Sequence, residues 1–239
     1  MKSYILITGS TSDIGISIAK QLAHNKSLLL SGRNKEELSK LQSELPNPEN
    51  HLIWCCDLGI EGVRESLRNT IEDNKIIISD FVHGAGLFKV GRLRLFKKED
   101  IDLVFNINIL SAIEICSFLS EKRQKMHLKN ILFMSSISAK KGQQGYAVYA
   151  ASKASLSGFT RSLALELAPT KVNTLLIGAI KTRTTQAIIE SKEAELNNSI
   201  PLGIGTSNYI SNWVFHLLSQ DNIWMTGQEV TIDGGATIA

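Results

Sequence analysis

YILITGSTSDIG, residues 4–15, is the stretch on which the fold turns. Tyr4 to Thr8 is a short apolar run, Gly9 opens a turn, and Ile14, Ile18 and Leu22 then recur at helical spacing. A strand, a glycine-rich turn and a helix in that order bring backbone N–H groups and a helix N-terminus to one point. Such a point favours an anion such as the pyrophosphate of a dinucleotide. Gly9 permits the tight turn, Gly15 allows close packing of helix on strand, and Ser10, Thr11 and Ser12 add hydroxyl donors. Taken alone, the stretch also reads as an ordinary serine- and glycine-rich turn.

The pattern repeats along the chain. Apolar runs at 27–31, 51–56, 76–83, 130–134, 172–177 and 229–232 join the first one at 4–8. They are rich in Val, Ile and Leu rather than alternating, which suits strands covered on both faces. Helical patterns fill the gaps at 14–23, 35–45, 61–72, 98–122, 149–167, 182–197 and 207–218. Strand–helix alternation throughout predicts one α/β domain over residues 1–239, with an open, doubly wound, mostly parallel seven-stranded sheet and helices on both faces.

Composition excludes several classes. With 239 residues, 43% of them hydrophobic and 21% charged, the chain is neither disordered nor fibrous. A net charge of +3 without a clustered basic face argues against nucleic acid. The N-terminus lacks a signal-peptide pattern, and no apolar stretch is expected to span a membrane. Cys55, Cys56 and Cys116 have no zinc spacing and are expected to be buried packing thiols. A cytoplasmic protein is the expectation.

Two features bear on chemistry. Where the second strand ends, SLLLSGRN offers no acidic residue for a ribose hydroxyl; Arg33 stands there instead. An arginine at that point accommodates a 2′-phosphate, which favours NADP(H); a plain surface cation is the alternative. Tyr149 and Lys153 lie at i and i+4 on one helix face. An ammonium beside a phenol lowers its pKa, which makes the two a proton-transfer pair. Ser136 ends the strand before that helix, at the edge where open α/β sheets bind ligands, placed to hydrogen-bond a substrate oxygen.

With these motifs in this order, the sequence resembles the short-chain dehydrogenase/reductase family over essentially its whole length, most closely the 3-oxoacyl-carrier-protein reductases. The resemblance implies a Rossmann-type fold and direct hydride transfer between a nicotinamide and a carbonyl or secondary alcohol. It places the catalytic residues on Asn108, Ser136, Tyr149 and Lys153. It implies cofactor contacts at Gly9, Ser10, Thr11, Ser12, Ile14, Gly15, Arg33, Asp57, Leu58, Ala85, Gly86, Tyr149, Lys153, Ile180 and Thr182, and no metal.

The family pattern is broken at four places. Asp13 replaces its middle glycine and sets a carboxylate at the phosphate loop, or else caps the helix. His83 and Gly84 replace paired asparagines, at an expected cost in stability. Ile177 replaces a proline and is expected to soften the following loop.

Residues 181–201 form an amphipathic segment, read as a lid or as a surface helix. The basic stretch 122–129 reads as a solvated helix end or as a dock for an acidic carrier protein. The expected substrate is a small or carrier-bound carbonyl compound. The alternatives are a sugar or polyol dehydrogenase of the same family, and a cofactor-sensing regulator, which the presence of both Tyr149 and Lys153 disfavours. The resemblance also implies a homodimer or homotetramer formed through the two long helices and the C-terminal strand. Leu156, Phe159 and Leu163 fit that interface and equally fit packing on the sheet.

Overall fold

Alternate residues along the strands supply two separate cores. The strands are β1 (Ser3–Thr8), β2 (Leu28–Gly32), β3 (Leu52–Cys55), β4 (Ile77–His83), β5 (Asn130–Ser136), β6 (Lys171–Ile177) and β7 (Glu229–Ile232). In the computed structural model, which describes residues 1–219 and 224–239, they form one sheet in the order β3-β2-β1-β4-β5-β6-β7. Every pairing is parallel. Ile5, Ile7, Leu28, Leu30, Val82 and Leu132 face one side. There they meet Ile18 and Leu22 of α1 (Asp13–Leu22), Leu38 and Leu41 of α2 (Lys35–Glu44), and Ile210 and Val214 of α10 (Ser207–Leu218). Leu6, Leu29, Phe81, Ile131 and Phe133 face the other side. Their partners are Leu67 of α3 (Val63–Asp73), Ile115 and Phe118 of α5 (Ser111–Leu119), and Leu156 and Leu163 of α7 (Ala147–Glu166). Leu156 and Leu163 therefore pack on the sheet, with half-buried Phe159 against the same cluster.

Strand order reverses between β1 and β4, so the crossovers leave a crevice at the carboxyl ends of these strands.

The helix expected over 98–122 is a continuous run from Lys98 to Leu119 with a π turn inside it. α4 (Lys98–Phe105) passes through Asn106–Leu110 into α5. This run is long and apolar enough to cross a membrane, with a mean hydropathy of 1.6, contrary to the expectation that no stretch would be. Its polar residues, Asp102, Asn106, Asn108 and Glu114, interrupt the apolar pattern in the sequence. Val104, Ile109, Ala112, Ile115 and Leu119 are spent on the core.

Lys122–Lys125 is a separate turn, α6, whose Lys125 Nζ donates to the carbonyl of Glu166 at the end of α7 (2.9 Å). Lys125 of the basic stretch is thus a helix-end cap for α7. The stretch precedes the first residue of β5, at the end of that strand away from Ser136. The helix expected over 182–197 is two short ones, α8 (Gln186–Ser191) and α9 (Glu193–Ser199), anchored by buried Ile189 and Ile200. Only Cys116 is a buried thiol; Cys55 is exposed on edge strand β3 and Cys56 is half-buried.

Candidate active site

β1 ends at Thr8, and Gly9 turns the chain with φ +69°. A Cβ there would lie 2.8 Å from the Gly84 carbonyl oxygen and the Ala85 nitrogen. A Cβ on Gly15 would lie 2.1 Å from the Gly9 carbonyl oxygen. Bare backbone therefore lines this turn because β1, β4 and α1 converge too closely for side chains. Ser12 caps α1, its Oγ accepting from the Gly15 N–H at 3.1 Å. The N-cap is Ser12, not Asp13. Ser10 Oγ donates to the Ile7 carbonyl (2.7 Å) and accepts from the Ser31 N–H (3.0 Å). That hydroxyl is buried between β1 and β2 and unavailable to a ligand, unlike the expected donor.

The crevice has two lobes. The larger, about 550 Å³, is walled by Gly9, Thr11, Arg33, Asp57, Leu58 and Ala85. Its size lies within the range of small-molecule sites, roughly 300–1,000 Å³. The smaller, about 180 Å³, is walled by Ile14, Ser136, Tyr149, Lys153, Ile180 and Thr182. Ser12, Asp13, Gly84, Gly86 and Thr184 border both lobes. Asp57 Oδ1 accepts from the Gly59 N–H at 2.8 Å, which fixes the turn after β3. The glycine cradle, the helix N-terminus and a cationic far end fit a phosphorylated dinucleotide.

The catalytic candidates come from three elements. The carboxyl end of β5 carries Ser136, whose Oγ accepts from the Ser138 N–H at 3.2 Å. The preceding Ser135 instead donates to the Lys153 carbonyl (2.9 Å) and ties β5 to α7. Burial pushes the Tyr149 phenol up to about 12, the Ser136 hydrogen bond pulls it partly back, and Tyr146 raises it further. Burial brings the Lys153 ammonium down to about 8. Its Nζ donates to the Met134 carbonyl at 2.8 Å. Desolvation thus leaves the phenol above its ordinary value, not below it as the Tyr–Lys spacing predicts.

Asn108 is the buried residue on which these elements are joined. The π turn adds a residue to the helix and swings its amide between two neighbours. Its Oδ1 accepts from the Leu87 N–H (2.6 Å), and its Nδ2 donates to the Leu87 carbonyl (3.2 Å) and to Ser152 Oγ (2.8 Å). It stands behind Gly86, where a Cβ would lie 3.5 Å from Asn108 Oδ1 and 3.0 Å from Lys153 Nζ.

Three departures from the expected pattern have local answers. His83 Nδ1 shares a hydrogen bond with Thr8 Oγ1 (3.0 Å), while its buried Nε2 meets no hydrogen-bond partner among the described residues. Burial, helped by the Lys153 charge, holds this imidazole down at about 3. Gly84 is required, since a Cβ there would sit 2.9 Å from the Thr8 carbonyl oxygen. Ile177 ends β6 in register between Ser136 and Ile232. Asp13 is met by Arg183, which the sequence reading passed over, and so were Phe88 and Tyr146. Phe88 and Tyr149 lie edge to face at 5.0 Å between centroids, with Tyr146 6.3 Å from Tyr149. Tyr146 sits three residues before Tyr149, the spacing that puts two helical side chains on one face.

A family profile described as enoyl-(acyl carrier protein) reductase matches residues 9–237. The chain is 32% identical to a 3-oxoacyl-[acyl-carrier-protein] reductase FabG of Rickettsia bellii, over 96% of this chain and 95% of that one. It is 33% identical to carbonyl reductase family member 4 of Danio rerio, over 98% of each. The solved structure of ElxO with NADP bound superposes with a TM-score of 0.87 at 27% identity, over 100% of both chains.

Proposed function

The chain belongs to the short-chain dehydrogenase/reductase family and is an oxidoreductase of CH–OH and C=O groups; from that premise we propose an NADP(H)-dependent reductase of 3-oxoacyl thioesters. One observation carries the reading. Ser136, Tyr149 and Lys153 wall one lobe of a crevice whose other lobe ends at Arg33. Phe88, Ile177 and Ile180 give the catalytic lobe an apolar wall beside those three polar groups, against which an acyl chain can lie. Arg33 and the absence of an acid at the end of β2 favour a 2′-phosphate.

The nicotinamide, when bound, supplies the hydride. Ser136 Oγ donates to the substrate carbonyl oxygen and holds it toward Tyr149. Tyr149 Oη gives that oxygen its proton as the carbonyl carbon is reduced, so the product is the neutral alcohol. A phenol at about 12 keeps its proton at neutral pH and is poised to donate. The ammonium of Lys153 offsets the charge left on Tyr149. Asn108 holds the Leu87 backbone and Ser152, and through them the position of Lys153.

The reading extends to a single cytoplasmic domain over residues 1–239 that assembles as a homodimer or homotetramer. Leu103, Leu110 and Ile113 form an exposed apolar stripe on α4–α5, and Leu165 is exposed on α7. Light scattering coupled to size exclusion tests the assembly, and a monomer at micromolar concentration contradicts it.

Initial rates with acetoacetyl thioester, against sugars and polyols, and with NADPH against NADH, test the activity. NADPH-dependent reduction of the thioester is expected. Turnover confined to sugars or polyols overturns the substrate assignment.

A further inference from the structure

Among the described residues, Asp13 is the one acidic residue at the rim shared by the two lobes. It is the first residue of α1, where the N–H groups favour an anion from outside the chain. A carboxylate at that point competes with a diphosphate and repels it. Both of its oxygens are taken by one residue, Arg183, from 170 positions away. The Arg183 backbone N–H donates to Oδ2 at 2.5 Å and its Nε donates to Oδ1 at 2.6 Å. Arg183 Nη2 donates to the Thr11 carbonyl at 2.7 Å. The guanidinium is thus fixed at two points on the glycine turn, while its remaining nitrogen, Nη1, bonds no described residue. Arg183 directly follows Thr182 of the catalytic lobe and itself walls the larger lobe beside Gly9, Thr11 and Ser12.

We propose that Arg183 is a cofactor-positioning residue, which neutralises Asp13 and turns its free donors to the diphosphate of the dinucleotide. The inference rests on the reading of the chain as an NADP(H) enzyme. Asp13 and Arg183 replace, as a pair, what a bare glycine does at that turn: they leave the α1 N-terminus without net negative charge. The pair also ties the segment carrying Thr182 to the phosphate loop, so the two walls of the crevice are held together where the diphosphate crosses from one lobe to the other.

An ordinary exposed ion pair has a different signature. Arg183 is 64% exposed and Asp13 27%, so the pair adds little to stability in water. Its effect is expected in ligand affinity. The test is a double-mutant cycle read as NADPH dissociation constants by fluorescence titration: wild type, Arg183→Ala, Asp13→Gly and the double variant, with Arg183→Lys as a fifth protein.

Arg183→Ala exposes the Asp13 carboxylate and removes the cation; NADPH affinity is expected to fall by about tenfold or more, the scale of one charge-assisted hydrogen bond. Adding Asp13→Gly to Arg183→Ala removes the stranded carboxylate and is expected to regain part of that loss, the remainder being the missing donors of Arg183. Arg183→Lys, which keeps charge but not the forked geometry, is expected to fall between wild type and Arg183→Ala. Arg183→Ala within about twofold of wild type overturns the proposal. So does a double variant no tighter than Arg183→Ala. Wild type that binds neither NADPH nor NADH overturns the cofactor reading itself, a result distinct from either of these.

Discussion

Asn108 Nδ2 donates to Ser152 Oγ at 2.8 Å, one residue before Lys153 on the helix that carries Tyr149. The bond joins a π turn in one long helix to the catalytic face of the other. Removing the amide strands the Leu87 N–H, which has Asn108 Oδ1 as its acceptor. Each buried polar group left unpaired costs about 1–3 kcal/mol. Asn108→Ala is therefore expected to lower the urea midpoint of unfolding and to reduce kcat with little change in NADPH affinity. An unchanged midpoint would show that Asn108 braces nothing.

Gly9 and Gly86 are expected to respond differently to an added methyl group. At Gly9 the Cβ collides with the backbone of Gly84 and Ala85 just after β4 and φ is positive, so no neighbour is free to yield. Gly9→Ala is expected to lose cofactor binding and stability together. At Gly86 the closest atom is the end of a flexible side chain, Lys153 Nζ at 3.0 Å. Gly86→Ala is expected to fold with near-normal stability and to lose turnover as Lys153 is displaced. Thermal unfolding beside steady-state kinetics separates the two.

His83 makes stability depend on acid. Its folded value, about 3, lies below the ordinary 6.5, so the folded state binds fewer protons than the unfolded chain between these limits. Its contribution is complete above pH 6.5 and is lost as pH falls toward 3. The slope is at most about 1.4 kcal/mol per pH unit from this one group. Chemical denaturation at a series of pH values is expected to show that fall, and His83→Asn to flatten it. A parallel fall in both proteins would assign the acid sensitivity elsewhere.

Lys153 sets an upper pH limit on reduction. Burial lowers its ammonium to about 8, so its charge in the lobe it shares with Tyr149 is present below that pH and lost above it. The pH profile of kcat/KM for carbonyl reduction is expected to fall above about pH 8. A profile flat to pH 10 would remove Lys153 from the proton-transfer step.

Arg33 bears on the choice between cofactors. Arg33→Ala is expected to weaken NADPH by about tenfold or more while leaving NADH within about twofold. Equal losses for both cofactors would make Arg33 a general contact rather than a 2′-phosphate contact.

Much of this was readable in the residues, and the parts that were not share a cause. The central strands were legible because a strand covered on both faces must be an apolar run, as in Leu28 to Leu30, and the half-buried edge strands β3 and β7 kept enough apolar residues to be read as well. The glycine turn, Ser136, Tyr149 and Lys153 were legible because each needs a fixed residue type at a fixed local spacing. The π turn at Asn106–Leu110 was not, since it changes one hydrogen-bond step without altering the apolar pattern. Arg183 was missed because its partner, Asp13, is 170 positions away and nothing local marks either as one half of a pair. The buried hydroxyl of Ser10 was misassigned for the complementary reason. Its neighbours in sequence face the crevice, while its own bonds run to β1 and β2. The raised phenol of Tyr149 was not legible because spacing fixes proximity but not burial.

The most direct test is Tyr149→Phe, measured for NADPH binding and for acetoacetyl-thioester reduction on the same preparation. The account predicts wild-type affinity for NADPH and a loss of turnover of about a hundredfold or more, the contribution of a positioned acid. Near-normal turnover by Tyr149→Phe would contradict it.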